Sequence, residues 1–256
     1  MRLLTFVIAT LVALPLTAAT RYSIAAENTG FFTQPRFNAT VLAEGSQRRI
    51  DVVHPETPFT YDVLLSLLSD DGGATFIALN TELKTWFRKE SAPLLGRPRI
   101  FGGRPNQRQS VRDVSVTTSE EPSDPIGGFA VHKYVVKTSF MVREGRGAAR
   151  IDALFGTTAI VWTTDAVDAA LAVHAVDLTT GLPEVDAQLA PALAKIPGFP
   201  LRTTLTATRA YRGGPPQTFT ISATISDIRT VDAPPHAFEK PKGYVEQAPI
   251  IGAPVR

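Results

Sequence analysis

Cysteine is absent from all 256 residues, which excludes disulfides, thiolate metal sites, a cysteine nucleophile and a lipidated cysteine. Recognised catalytic signatures are missing too. There is no Gly-x-Ser-x-Gly, no His-Glu-x-x-His and no Ser-x-x-Lys, so a nucleophile held beside its base is not announced by spacing. Histidine is scarce, at four residues. An excess of one charge is also lacking, since 26 Lys and Arg stand against 24 Asp and Glu. The basic residues cluster in "RKESAPLLGRPRIFGGRPNQRQSVR", which is rich in Pro and Gly, holds one aromatic (Phe101) and matches no nucleic-acid motif. That reads as a solvated loop over about 88–110, not an RNA or DNA site. A contact with anionic headgroups or a protein partner through Arg97, Arg99, Arg104 and Arg108 stays open.

Long apolar runs are absent except at the start. "MRLLTFVIATLVALPLTAAT" has one Arg, an apolar run over 3–16 and then Thr17-Ala18-Ala19. This is the pattern of a secretory signal, residues 1–19, cut after Ala19, with a cut after Ala26 as the alternative. An uncleaved anchor is the competing reading, against which stand Pro15 and a run shorter than the ~20 residues that span a bilayer. The expectation is an exported mature chain, periplasmic or secreted.

From Arg21 onward, period-two alternation is broken by turn residues, the signature of strands and hairpins. Candidate strands are "RYSIAAE", "FNATVLAEG", "RRIDVV", "TYDVLLSLLS", "ATFIALN", "KTWFRK", "VRDVSVTTS", "GGFAVHKYVVKTSFMV" and "ARIDALFGTTAIVW". Asp70-Asp71-Gly72-Gly73 lacks the further oxygen ligands and closing Glu of a calcium loop, and reads as a hairpin turn using glycines at positive φ. His132 falls on the face of Ala130, Tyr134, Val136 and Phe140 and reads as a partly buried sheet residue bonded to a neighbour. The closing hairpin, "FPLRTTLTATRAY" and "QTFTISATISDIRTV", alternates most cleanly. Leu201, Leu205 and Ala207 on one strand and Phe219, Ile221, Ala223 and Ile225 on the other face inward, with Thr and Ser outside.

Between these groups lie two helix-like stretches over about 165–196. Asp165 sits where an N-cap belongs, with Asp168 three residues on, so capping accounts for both carboxylates. His174 is six residues past Asp168, on a different helical face, and reads as a residue at the edge of the core. Gly181 ends the first helix and Pro183 starts the second, whose stripe is Val185, Leu189, Leu193 and Ile196 and which Pro191 should kink. The proline-rich segment that follows ends in a tail over 246–256.

Four stretches carry a family likeness: "DDGGATFIALNTELKTWFR", "IGGFAVHKYVVKT", "IVWTTD" before helices, and "IPGFPLR" before the closing hairpin. On these the chain resembles the LolA-like periplasmic lipoprotein-carrier superfamily. The resemblance implies an α+β fold, a curved, half-open antiparallel β-barrel with a helical pair covering the concave face, as one domain over 20–245. It also implies binding without covalent chemistry, hence no catalytic residue, no cofactor and no metal. The long Arg- and Pro-rich loop and the extended tail depart from that pattern.

Three functions compete. The first is a binding protein holding a lipid or other hydrophobic molecule between sheet and helices, lined by Trp162, Val167, Leu171, Leu189, Leu193, Leu205, Phe219, Ile221 and Ile225; those residues equally suit a filled core. The second is an envelope interaction or sensor module using the basic loop. The third is a hydrolase assembled from His54, His132, His174 and His236 with carboxylates.

Overall fold

The computed structural model describes residues 18–29, 37–52, 66–90, 110–144, 151–211 and 214–247. His54 and the four arginines of the basic loop lie outside them. One twelve-stranded sheet organises the chain, in the order β12-β6-β5-β4-β3-β2-β1-β11-β10-β9-β8-β7. Its strands are β1 (Ala18–Thr29), β2 (Phe37–Glu44), β3 (Gln47–Val52), β4 (Ser66–Ser69), β5 (Thr75–Asn80) and β6 (Thr85–Glu90). They continue with β7 (Ser110–Glu121), β8 (His132–Glu144), β9 (Ile151–Thr164), β10 (Phe199–Tyr211), β11 (Gln217–Asp232) and β12 (Val245–Glu246). From β1 to β6 and from β7 to β11, neighbours in sequence pair as two antiparallel meanders, and β1 joins them by pairing with β11 and so sits mid-sheet. β12 adds parallel to β6.

Turn chemistry fixes the hairpins. Between β4 and β5, Gly72 and Gly73 take positive φ of 76° and 94°. Asp71 accepts from the Thr75 backbone N–H and hydroxyl and from the Ser69 hydroxyl. Those bonds, the Thr75 hydroxyl first, hold its carboxyl far below the usual carboxylate range.

Alternation sorts the sheet into a core face and an outer face. Leu201, Leu205, Ala207, Phe219, Ile221, Ala223 and Ile225 are all buried, as the period-two pattern requires. Phe140 and Phe155 stack across β8 and β9 with centroids 5.4 Å apart. On the outer face the C-terminal segment returns over β1 and β2, where Ala237 meets Ala19 and Leu42.

Two expectations are corrected. The sheet is open, ending at β7 and β12, and is not a half-open barrel. Among the described residues there is one α-helix, α1 (Pro183–Leu193), not a helical pair. Residues 165–182 instead form a strap with a single 3-10 turn, Ala169–Leu171. The reason is competition for backbone groups. Asp168 accepts from Ala170 N at 2.9 Å, and Asp177 takes both the N–H and the hydroxyl of Thr179. Short polar side chains that bond locally favour turns over helix interiors. The sheet also claims carbonyls that a continuing helix would need, since the Tyr22 hydroxyl donates to Leu171 O and Arg48 donates to Ala170 O. α1 does form, with Pro183 in its first turn. Asp186 reaches back to the N–H groups of Thr180 and Gly181 at 2.7 and 2.8 Å, securing the helix entry.

Candidate functional site

The strap and α1 lie on the core face of the sheet. Along the strap Val173, Ala175 and Val176 are buried, and on α1 Val185 and Leu189 are. The first part of the strap is pinned. Tyr22, fully buried, donates to Leu171 O at 3.0 Å, and Phe199 meets its ring edge-on at 5.4 Å. Arg48 is buried to 1% exposure and donates to Gly45 O at 2.7 Å, Gln47 O at 2.6 Å and Ala170 O. Burial pushes the Tyr22 hydroxyl well above its usual pKa, with the Arg48 charge opposing. Burial likewise lowers the Arg48 pKa, against the pull of Tyr22 and Asp168.

Past the 3-10 turn the fit loosens. Between strap residues 173–179, the end of α1 and strands β9 to β11 is a cavity of about 350 Å³. The sheet gives it small side chains, Val161, Thr163, Thr203 and Ala223, with Leu201 and Ile225 beside them. Leu193 and Ile196 close it from the helix side, and the strap contributes Val173, Ala175 and Val176. Polar groups are few. Asp177 is buried and bonded to Thr179, and His174 stands at the rim, where partial desolvation lowers its pKa.

Of the nine side chains expected to line a ligand site, Leu193 and Ile225 border the cavity. Leu189, Leu205, Phe219 and Ile221 lie in the packed core, and Val167 and Leu171 pack against it. Trp162 is on the outer face, alternating with inward Val161 and Thr163. Its ring lies between Arg202 at 5.6 Å and Lys133 at 5.9 Å, over a polar groove formed with residues 123–127. Sequence reasoning had Leu201 and Ala223 facing inward without assigning them to a site. The strap residues were missed because they were read at helical spacing.

Among the described residues the histidines His132, His174 and His236 do not converge. His132 is exposed, not partly buried. Its Nδ1 lies 2.9 Å from Glu120 Oε1 and its Nε2 3.6 Å from Asp165 Oδ2. Glu120 foremost raises its pKa. Asp165 therefore faces His132, and the capping role belongs to Asp168. His236 pairs with Glu239 at 3.0 Å. Among the described residues no group of three His, Asp or Glu side chains is placed to hold a metal ion, and no helix is long and apolar enough to cross a membrane.

No family model matches the chain, and no curated protein does. Among solved structures it is similar to a LolA superfamily protein from Nitrosomonas europaea, with 9% identity, covering 88% of this chain and 91% of that one, at a TM-score of 0.31. A likeness of that size transfers neither a site residue nor a ligand.

Proposed function

We propose that this chain is an exported, non-enzymatic binding protein that holds a lipid-like, hydrophobic molecule in the cavity between strap and sheet. The cavity itself carries the reading. Ligand pockets fall at roughly 300–1,000 Å³, and an engineered apolar cavity of about 150 Å³ already takes up benzene. At about 350 Å³, with mainly aliphatic walls, this space is sized for a single acyl chain or a compact apolar ring system. Burying a dozen methylenes is worth on the order of 10 kcal/mol gross at ~0.8 kcal/mol each. Lost translational freedom and ordering of the strap offset much of this, which leaves micromolar affinity.

Export rests on the N-terminal signal pattern. A cut after Ala26 would remove Tyr22 and Ile24, both buried on mid-sheet β1, so the position of β1 favours the cut after Ala19. A cut after Ala19 also removes buried Ala19, which packs with Leu42 and Ala237, but it leaves Tyr22 and Ile24 in β1.

Ala223→Phe tests the cavity. Filling empty space keeps stability within about 1 kcal/mol of wild type and abolishes binding of a fluorescent fatty-acid analogue, whereas overpacking a solid core costs about 1–3 kcal/mol. A folded wild-type chain that retains nothing in native mass spectrometry and binds no lipid across a panel would overturn the proposal.

A further inference from the structure

One group at the rim of the cavity can change its charge near neutral pH. His174 borders the cavity from the strap, between buried Val173 and Ala175, and is itself exposed, so its ring stands within reach of solvent and of a molecule seated below. No other described residue bonds either ring nitrogen. The remaining polar side chains that border the cavity are engaged or sealed, apart from Thr203 on the sheet floor. Asp177 and Thr179 bond each other, the Arg202 guanidinium lies over the Trp162 ring on the outer face, and Thr163 is 1% exposed.

Resting on the reading that this cavity takes an apolar tail, we propose that the ligand is an amphiphile with an acidic head, a long-chain carboxylate, whose head pairs with the His174 ring at the rim. Histidine is the side chain whose ordinary charge change falls between pH 5 and 8. In the free protein, partial desolvation holds His174 toward its neutral form. An arriving carboxylate supplies the opposite charge and a hydrogen-bond acceptor, both of which favour the protonated ring. Binding therefore takes up a proton. The bond formed is charge-assisted, roughly twice as strong as the neutral one an alcohol would make. At the rim the head also keeps water on its far side, so its charge is not buried. The other charged groups nearby are few. Asp177 on the strap and Arg202 on β10 border the cavity, exposed Lys195 lies on the chain between the cavity residues Leu193 and Ile196, and β9 and β11 contribute none. Two donors from Thr179 offset the Asp177 charge. Carboxylate, guanidinium and ammonium groups do not ordinarily change charge between pH 6 and 8, which leaves the ring as the group that titrates there.

The test compares dodecanoate, dodecanol, dodecylamine and decane as competitors of an uncharged naphthylamine probe at pH 6 and pH 8, in the wild type and in His174→Gln, with thermal stability followed in parallel. Because the ring's pKa is lowered in the free protein and raised by the bound carboxylate, affinity is highest below the free value and falls as pH rises through the window between the two. Dodecanoate should accordingly bind about tenfold tighter at pH 6 than at pH 8, with dodecanol equal at both. His174→Gln should weaken dodecanoate about tenfold at pH 6, flatten its pH dependence and leave dodecanol and decane within about twofold. In the wild type, NMR should show His174 titrating at higher pH with dodecanoate bound than without it, a readout that needs no substitution. Dodecanoate affinity equal at the two pH values or unmoved by His174→Gln, or a His174 titration that dodecanoate does not raise, overturns the acidic head and leaves the cavity standing. Preference for dodecylamine overturns it as well. Failure of the probe and of all four competitors to bind removes the cavity reading, and this inference with it.

Discussion

The two halves of the strap cover the same face of the same sheet and meet it differently. Over β1, β3 and the start of β10 the sheet presents Tyr22, Arg48 and Phe199, whose long side chains fill the gap and hold the carbonyls of Ala170 and Leu171. Over β9 to β11 it presents Thr163, Thr203 and Ala223, which end short and leave a cavity of about 350 Å³. Strand pairing continues through both places, with a register shift at Tyr22 in β1 and another at Leu201 in β10. Side-chain reach decides whether the strap is bolted down or left as a roof.

Removing volume should separate the halves most clearly. Phe199→Ala, at a fully buried position against Tyr22, should cost about 3–5 kcal/mol in denaturant unfolding. Leu193→Ala, on the half-buried cavity wall, should cost about 1 kcal/mol. Equal costs would mean that both halves are packed alike.

Polar contacts come next. Tyr22→Phe leaves Leu171 O without its donor and should cost about 1–2 kcal/mol. Hydrogen exchange should then quicken in residues 168–173 and stay unchanged in α1. Asp168→Ala removes the cap of the 3-10 turn and should cost about 0.5–1 kcal/mol, with faster exchange at Ala170 N. If Tyr22→Phe instead loosened the entire segment over 165–196, pinning would not be confined to the first half.

The smallest effect is at the strap's entry, where Asp165 faces His132 across from Glu120. Because Glu120, and secondarily Asp165, raise the folded pKa of His132, its contribution to stability is complete below the ordinary histidine pKa. It is lost as pH rises through the raised value. An NMR titration should place His132 above the usual range of about 6.5, and Glu120→Gln should bring it down; a titration at the ordinary value in the wild type would break this contact.

Much of the sheet was legible in the residues themselves. Strict alternation in "FPLRTTLTATRAY" and "QTFTISATISDIRTV" placed seven buried side chains correctly, because a strand's faces repeat every second residue whatever it packs against. Asp70-Asp71-Gly72-Gly73 marked its hairpin because positive φ is a local property of glycine. α1 was marked by Pro183 and the stripe of Val185 and Leu189. Non-local choices were not legible. The segment over 165–178 carries helix-like spacing, yet Tyr22 and Arg48, distant in sequence, take its carbonyls and leave it extended. Whether the sheet closes depends on whether β7 and β12 meet, and no local pattern encodes that. The cavity likewise exists because Thr163, Thr203 and Ala223 come together beneath a strap held up elsewhere. Periodicity fixes which way a side chain points; the space in front of it is set by partners that only tertiary structure brings near.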